Sequence, residues 1–305
     1  MILGGTMRDI NYCVTAHNLK KKYKKFTLDI ENLAIPEGFA TALIGENGAG
    51  KSTLMNFLSG IRLDFDGEIE YFGKYSNEDA EKESCPVREL TGYTGTGNYY
   101  LPQWTIKQVA DISEILFDNF HKDKFYDYVR EFRIDPLEGK KSPKVSTLSD
   151  GNLMKLEIAG VLARDTNLLI LDEPASPLDP LSREELCDRL REYIDRGNGR
   201  NSVFFSTHNI SDMESVTDYA IIMHDGRIVE EGFTEDLKEK YISVKGDPDI
   251  SEAVRPYLYT ENSSKYGIEG IALADKADSL AGFNLTLERP TLSQIAVAIL
   301  KHERN

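Results

Sequence analysis

The spacing of hydrophobic residues predicts β-strands over residues 11–45, the first part of the chain. Phe26, Leu28 and Ile30 alternate with polar residues, which is the two-residue period of a strand that has one buried face. The run Phe39–Ile44 is short, apolar and followed by a glycine. This part of the chain is therefore expected to contribute several strands to a sheet.

Helical and strand patterns alternate through most of the following residues. Residues from about 104 to 164 are predicted to be mostly helical, because Ile106, Val109, Ile112 and Leu116 follow helical spacing. Strands that alternate with helices predict an α/β fold with a largely parallel sheet, and the helical middle would form a separate lobe. The other predicted elements are a helix from Lys51 to about Gly60, a strand Leu168–Leu171, a helix from about Leu181 to Arg196, a strand Ser202–Ser206, and a hairpin over 217–231 with its turn at Asp225–Gly226.

The pattern changes from about residue 243 onward. Short β-like segments, Gly267–Leu273 and Phe283–Leu287, precede a predicted terminal helix, Thr291–His302. None of these segments carries a recognisable chemical motif. Residues 243–305 are therefore interpreted as a small C-terminal α/β extension.

Composition narrows the possible functions. The 305-residue chain is 40% hydrophobic and 29% charged, which is typical of a globular, soluble protein. Its net charge of −15 argues against nucleic acid as the main partner, because that binding depends on cationic surface. Cys13, Cys85 and Cys187 lack metal-ligand spacing and are expected to be reduced thiols. No segment predicts a membrane span or signal peptide, so we expect a cytoplasmic location and contact with any membrane through a partner.

A phosphate-binding loop is the most specific motif. It follows a predicted strand, precedes a predicted helix and fits G-x-x-x-x-G-K-[ST] in full. Its glycines allow the backbone amides to surround a phosphate, and the dipole of the following helix adds partial positive charge. The motif predicts ATP binding by these residues: Gly45, Glu46, Asn47, Gly48, Ala49, Gly50, Lys51, Ser52 and Thr53. Lys51 would reach the β- and γ-phosphates, Ser52 would bind Mg²⁺, and Thr53 would contact the α-phosphate.

Two carboxylates follow the apolar strand Leu168–Leu171 and make hydrolysis the expected activity. Asp172 at the strand end would hold Mg²⁺. Glu173 would face the attacking water as a general base. A polar turn after an ordinary strand would give the same residues, but the phosphate loop elsewhere in the chain favours a nucleotide site.

These motifs resemble those of the ATP-binding cassette (ABC) ATPases, in the family's order and over roughly residues 12–242. Leu148–Asn152 resembles the family signature, ideally Leu-Ser-Gly-Gly-Gln, and Ser176–Asp179 resembles its D-loop. His208, after a strand, resembles the switch histidine that holds the γ-phosphate. Tyr23 is placed like the aromatic residue that stacks on adenine. The resemblance implies a P-loop NTPase core with a parallel sheet, an antiparallel β subdomain and a helical subdomain at about 97–165.

The same resemblance implies partners. Two ABC chains, identical or different, would face each other and enclose two ATP molecules. Ser149 and Gly151 of each signature would then bind the γ-phosphate in the other chain's site. A separate transmembrane permease would use the motion, and the ATPase would sit peripherally on the inner face of the cell membrane. The spacing before the signature and the segment Glu288–Leu292 resemble the subfamily that drives ABC-2-type exporters of peptides, antibiotics or lipid-like molecules.

The sequence departs from the family pattern at two positions. Asp150 replaces the first signature glycine and places a carboxylate near a phosphate site. Thr96 stands where the family has a glutamine that senses Mg²⁺. Tyr99, Tyr100 and Trp104 lie where the family docks its membrane subunit, but internal packing of the helical lobe would equally explain these aromatic residues.

Two other functions also fit these sequence features. One is an ABC ATPase that serves no transporter, although such proteins commonly carry two cassettes and basic surfaces or long coiled coils. The other is a nucleotide-gated regulatory module with weak hydrolysis. Glu173 and His208 argue against the second alternative, whereas Asp150 and Thr96 are compatible with it.

Overall fold

The computed structural model describes residues 10–80, 82, 86–95, 97, 99–134 and 142–304, and the following statements concern these residues. The strands are β1 (Tyr12–Lys22), β2 (Thr27–Pro36), β3 (Ala40–Gly45), β4 (Asp66–Tyr71), β5 (Tyr75–Ser76), β6 (Thr91–Thr94), β7 (Leu168–Leu171), β8 (Ser202–Thr207), β9 (Tyr219–His224), β10 (Arg227–Phe233), β11 (Tyr241–Gly246), β12 (Leu258–Ser264), β13 (Gly267–Leu273) and β14 (Leu285–Glu288). The helices are α1 (Lys51–Leu58), α2 (Asn77–Ala80), α3 (Pro86–Leu90), α4 (Ile106–Leu116), α5 (Lys122–Glu131), α6 (Asp150–Leu162), α7 (Pro180–Arg196), α8 (Thr234–Lys240), α9 (Ser251–Val254), α10 (Ala277–Leu280) and α11 (Leu292–Glu303).

A six-stranded sheet in the order β10-β9-β3-β8-β7-β6 forms the centre of the fold. All its pairs are parallel except β10 with β9, which form an antiparallel hairpin. Every residue of β3, β7 and β8 is buried, because helices or a second sheet cover both faces. The parallel strands bring their carboxyl ends to one edge, where ligands bind in sheets of this kind.

A four-stranded antiparallel sheet, in the order β2-β1-β4-β5, covers one face of α1 and the central sheet. Phe57 of α1 and Tyr71 of β4 are fully buried between the layers. This layer fixes α1, and therefore the loop that precedes it, against the central sheet. The α/β fold with an antiparallel β subdomain is thus as the sequence predicted.

The helical middle contains α4, α5 and α6, in agreement with the helical spacing in the sequence. Thr105 caps α4, since its hydroxyl accepts from the Gln108 amide while the Gln108 side chain accepts from the Thr105 amide. Ile106 and Val109 pack into the main core from this helix. The lobe therefore shares its apolar core with the central sheet.

The C-terminal residues form a third sheet in the order β12-β13-β11-β14. The sequence predicted β13 and, approximately, β14, whereas β12 was missed. The terminal helix α11 begins one residue after its predicted start, because Thr291 is its capping residue. Leu292 and Ile295 of α11 belong to the main core rather than to the small apolar cluster of the third sheet. The predicted division of the chain at residue 243 remains a prediction.

No helix in the described part of the chain combines the length and apolar character that crossing a membrane requires.

Candidate nucleotide site

The phosphate loop lies between β3 and α1, at the carboxyl edge of the central sheet. Gly48 and Gly50 have φ values of 88° and 104°, which only glycine adopts without strain. A Cβ at Gly45 would lie 2.5 Å from the carbonyl oxygen of Met223, and one at Gly50 would lie 2.5 Å from Cζ of Phe26. The glycines are therefore required both by the curvature of the loop and by its close packing.

The β9–β10 hairpin holds the loop in place. The turn was predicted at Asp225–Gly226, and the structure agrees. The Gly226 amide donates to the carbonyl oxygen of Ala49 at 3.0 Å, and the carbonyl oxygen of Gly226 accepts from the Asp29 amide at 2.9 Å. The turn thus connects the phosphate loop to β2 of the antiparallel sheet.

Lys51 lies at the centre of the site and is only 6% exposed. Its Nζ donates to the carbonyl oxygens of Gly45 at 2.8 Å and Glu46 at 3.2 Å. The same Nζ lies 3.3 Å from Oε1 of Glu173. The lysine is therefore positioned between the loop and the carboxylate that the sequence assigned to the attacking water.

Asp172 and Glu173 follow β7, beside the end of β8. Asp172 is fully buried, and its Oδ1 accepts a short hydrogen bond from the hydroxyl of Ser206. The same hydroxyl accepts from the Glu173 amide at 2.9 Å. Glu173 has φ of 52°, a left-handed conformation that is strained for a residue with a side chain. Ser206 therefore positions both acidic residues, a function that the sequence did not reveal.

His208 completes the group around Glu173. Its Nδ1 lies 2.7 Å from Oε2 of Glu173, while Lys51 contacts the other carboxylate oxygen. Strand pairing accounts for this meeting, since β7 and β8 are parallel neighbours with Leu171 opposite Phe205. The structure thus brings together the three side chains that the sequence predicted to be catalytic.

The signature residues lie at the start of α6, on a different part of the chain. The Ser149 hydroxyl accepts from the Asn152 amide at 3.3 Å and caps the helix, while Asp150 is exposed in its first turn. A Cβ at Gly151 would lie 2.9 Å from the carbonyl oxygen of Pro177, so this glycine permits close contact with the predicted D-loop. Among the described residues, no hydrogen bond or ion pair joins Ser149 or Gly151 to the phosphate loop.

Comparison with known proteins identifies the family. The chain is 30% identical over 223 residues to the tungstate uptake system ATP-binding protein TupC of Peptoclostridium acidaminophilum, covering 72% of this chain and 99% of that protein. It is 33% identical to the lantibiotic transport ATP-binding protein SrtF of Streptococcus pyogenes, covering 70% and 87%. The chain belongs to the ATP-binding proteins of ABC transporters. The ABC transporter family model matches residues 28–176.

A solved structure described as the ATP-binding subunit of an ABC transporter has the same fold, with a TM-score of 0.62 and 25% identity. The match covers 74% of this chain and 92% of that one. As an ABC ATPase, this chain binds adenine nucleotide and hydrolyses ATP.

Tyr23 of this ABC ATPase lines a cavity of about 640 Å³, together with Phe26, His224 and Arg227. The Arg62 guanidinium lies 5.8 Å from the Tyr23 ring centroid, and Phe26 lies 6.1 Å away, centroid to centroid. Phe26 in turn touches the phosphate loop at Gly50. The sequence missed this aromatic link between Tyr23 and the loop, because Phe26 also fits the alternating pattern of a strand. Stacking of Tyr23 on adenine stays a prediction.

The other residues that the sequence predicts to bind ATP or Mg²⁺ differ in exposure, and one of them is not described by the structure. Ser52 and Thr53 are half-buried in the first turn of α1, and the structure assigns their hydroxyls no hydrogen bond within its described residues. Asn47 is exposed and Glu46 is half-buried. Thr96, the predicted substitute for the family's glutamine, lies outside the described residues.

Proposed function

We propose that this ABC ATPase supplies one half of each ATP site in a cassette dimer and that its hydrolysis powers a separate transmembrane permease. The observation that carries the proposal is the contact of Glu173 with both Lys51 and His208 at the end of the phosphate loop. The Glu173 carboxylate thus lies between the Lys51 ammonium, which would bind phosphate, and the His208 ring, which fixes the orientation of the carboxylate. This arrangement suits activation of water beside a terminal phosphate.

Each polar side chain has a distinct role in this proposal. Lys51 binds the β- and γ-phosphates and leaves its present carbonyl partners when nucleotide enters. Glu173 accepts the proton of the attacking water. His208 holds the Glu173 carboxylate in position and contacts the γ-phosphate. Tyr23 stacks on adenine at the far end of the site.

Magnesium fits the residues beside the loop. Oδ2 of Asp172 is buried and has no hydrogen-bond partner among the described residues, which leaves an oxygen available as a ligand. Ser52 and Asp172 would hold the ion, with Thr96 as a further candidate. An ion held there would neutralise charge on the β- and γ-phosphates.

A second cassette chain, identical or different, completes the site. The N-terminus of α6 offers the Ser149 hydroxyl and free amides to an anion, as helix N-termini do. Within one chain these groups are not bonded to the phosphate loop, so the proposal places them on the γ-phosphate bound by the other chain. Closure of the dimer around ATP and its opening after hydrolysis would move the permease.

The permease would place the ATPase on the inner face of the cell membrane. We propose export as the direction of transport, because Glu288–Leu292 resembles the ABC-2 exporter subfamily and SrtF is named for lantibiotic transport. A peptide, antibiotic or lipid-like molecule is the proposed cargo class. TupC, by contrast, is named for uptake, so transport into inverted membrane vesicles is the direct test of direction.

The decisive test of the ATPase assignment compares the native chain with Glu173→Gln. We expect Glu173→Gln to bind ATP but to lower turnover by about 10²- to 10⁴-fold, the usual contribution of a positioned base. Glu239→Gln is the matched control, since Glu239 is exposed on α8 and lies outside the site. Equal turnover of the native and Glu173→Gln chains would refute the role of Glu173.

A nucleotide-gated module with weak hydrolysis is the second candidate, and the exposed Asp150 carboxylate favours it. A carboxylate at the start of α6 opposes an anion from the other chain and weakens closure on ATP. In that case the native chain would hydrolyse ATP as slowly as Glu173→Gln even with the permease present.

A further inference from the structure

The end of α11 reaches the nucleotide site from a distant part of the chain. Glu303, in the last turn of this helix, lines the cavity of about 640 Å³ that Tyr23 also lines. The next residue, Arg304, donates from Nε to Oε2 of Glu46 at 3.1 Å, and its Nη2 pairs with the other carboxylate oxygen. Because Glu46 belongs to the phosphate loop, the end of α11 contacts both the predicted adenine pocket and the loop.

Contacts on both sides of Glu303 hold this end of α11 in place. Ile299, one turn earlier, is 1% exposed and belongs to the main core. The His302 ring stacks on Tyr259 of β12 with its centroid 4.2 Å away. Together with the ion pair of the following arginine, these contacts fix the backbone of Glu303 at the wall of the cavity.

The carboxylate of Glu303 is exposed and makes no hydrogen bond or ion pair with any residue that the structure describes. Asp29 lines the same cavity, but its carboxylate pairs with Lys20 at 2.7 Å. Asp225, in the β9–β10 turn, lines the cavity too and has no ionic partner within the described chain. Two carboxylates at this cavity are therefore available to a ligand.

The order of groups in a nucleotide determines which part of ATP Glu303 would meet. The ribose joins the base to the phosphates, so it lies between a base stacked on Tyr23 and phosphates bound by the loop. Glu303 has the matching position: its side chain lines the Tyr23 cavity, and its Cα is about 3.8 Å from that of Arg304, whose side chain contacts the loop. The ribose is thus the part of ATP closest to this carboxylate.

The chemistry of a carboxylate suits a sugar hydroxyl. An ionised carboxylate only accepts hydrogen bonds, and a bond from a hydroxyl to it is stronger than one between neutral groups. Acidic side chains bind the ribose 2′-hydroxyl in the same way in dinucleotide-binding folds. Repulsion between this carboxylate and the phosphates is offset by four cationic side chains that line the same cavity, Lys22, Lys24, Lys25 and Arg227.

We propose that Glu303 accepts a hydrogen bond from the ribose 2′-hydroxyl and that this ATPase thereby selects ribonucleotides over 2′-deoxyribonucleotides. The ion pair between Arg304 and Glu46 holds Glu303 at the site. This inference rests on the proposed stacking of adenine on Tyr23, and it makes the C-terminal helix a wall of the nucleotide site.

The test compares two nucleotides that differ by a single hydroxyl. ADP and 2′-deoxy-ADP are titrated in turn into the native chain in the presence of Mg²⁺, and each Kd is measured by calorimetry. Diphosphates are used because hydrolysis then cannot disturb the measurement. We expect ADP to bind at least about fivefold more tightly, as the loss of a charge-assisted hydrogen bond at a partly solvated site implies. Equal affinity for the two nucleotides would overturn the inference.

Two variants that each remove one carboxylate assign the preference to its residue. Glu303→Ala should bring the ratio of the two Kd values close to one, and the chain should stay folded because the side chain is exposed. Asp225→Gly is the matched control, since glycine tolerates the φ of 42° at this position, and it should keep the native ratio. An unchanged ratio in Glu303→Ala, or a ratio that is lost only in Asp225→Gly, would refute the role of Glu303.

Arg304→Gln examines the ion pair through the same ratio. We expect the preference for ADP to fall, because the residue next to Glu303 is no longer bound to Glu46. A native ratio in this variant would exclude Arg304 as a positioning residue.

Tyr23→Ala separates this inference from the proposed function. Loss of a stacked base should weaken the binding of both nucleotides about 5- to 100-fold. If Tyr23→Ala binds both as tightly as the native chain does, the proposed stacking of adenine is wrong. Weaker binding by Tyr23→Ala, together with equal native affinity for ADP and 2′-deoxy-ADP, refutes only the Glu303 contact.

Discussion

Replacement of Ser206 by alanine tests how the two acidic residues are positioned. The Ser206 hydroxyl is fully buried, donates to Asp172 and accepts from the Glu173 amide. Alanine keeps the strand and removes both bonds. The Asp172 carboxylate would then have no hydrogen-bond partner within the described structure, since its Oδ2 already lacks one.

The expected cost follows from these two bonds. A buried hydrogen bond to a charged group contributes about 1.5–3 kcal/mol, and the half-buried Glu173 amide would lose a bond that contributes about 0.5–1.5 kcal/mol. Glu173 also holds a left-handed backbone conformation that costs about 1–3 kcal/mol, and the lost bond is one that helps to maintain it. We expect Ser206→Ala to reduce stability by about 2–4 kcal/mol and to lower kcat about 10- to 100-fold, as loss of a supporting hydrogen bond commonly does. The KM for ATP should change little, because the phosphate loop is untouched.

The assay is steady-state ATP turnover at several Mg²⁺ concentrations, together with thermal unfolding. Ser202→Ala is the matched control, because Ser202 is equally buried in β8 and its hydroxyl accepts from the Gly38 amide, away from the acids. Ser202→Ala should lose stability and keep kcat. If Ser206→Ala keeps kcat within about threefold of native while losing as much stability as Ser202→Ala, Ser206 is only structural and the reasoning is wrong.

Three further predictions follow from other contacts. Asp150→Gly should raise ATP turnover severalfold, because removal of one carboxylate near a phosphate gains about 1 kcal/mol in water. The variant should also be slightly less stable, because it loses a favourable charge at the start of α6. Unchanged turnover would contradict this prediction. The raised pKa of Glu157 means that the folded chain keeps a proton that the unfolded chain loses, so this group lowers stability as pH rises from about 4.5 to about 8, by up to about 1.4 kcal/mol per pH unit. Glu157→Gln should therefore flatten the dependence of the unfolding free energy on pH, measured by urea unfolding, and equal slopes for the native chain and the variant would refute this. Arg304→Glu should raise the KM for ATP a fewfold at low salt, because Arg304 donates from Nε to Oε2 of Glu46 at 3.1 Å. Addition of Glu46→Arg should restore the native KM. If the effects of the two substitutions on KM simply add, the pairing is excluded.

The sequence predicted the elements that are encoded locally. The phosphate loop, the apolar strand before Asp172 and the β9–β10 turn each carry their signal within a few consecutive residues. The capping residue Thr291 similarly marks the start of α11, although the sequence placed the helix one residue early. Such features follow from backbone geometry and hydrophobic period, which one sequence displays directly.

Features that depend on contacts between distant segments were missed. Arg304 meets Glu46 across 258 residues of chain, and no local pattern indicates that pairing. The strand Leu258–Ser264 has a mostly polar sequence and forms because β13 offers a free edge. Glu157 could be placed on a helix from sequence, but only the packed structure shows that its carboxyl is buried at the wall of a cavity.

The end of β8 carries side chains that contact both acidic residues, Asp172 and Glu173. Ser206 lies near the end of β8 and His208 directly follows this strand, and both side chains contact the acidic residues that follow the parallel neighbour β7. Ser206 contacts Asp172 and the Glu173 backbone, while His208 contacts the Glu173 carboxylate. A shift at the end of β8 would therefore move the predicted Mg²⁺ ligand and the predicted base together. Because α11 packs beside the 3₁₀ turn that follows this strand, the C-terminal helix is physically connected to the same segment through the Ser211–Ser293 hydrogen bond of 3.0 Å.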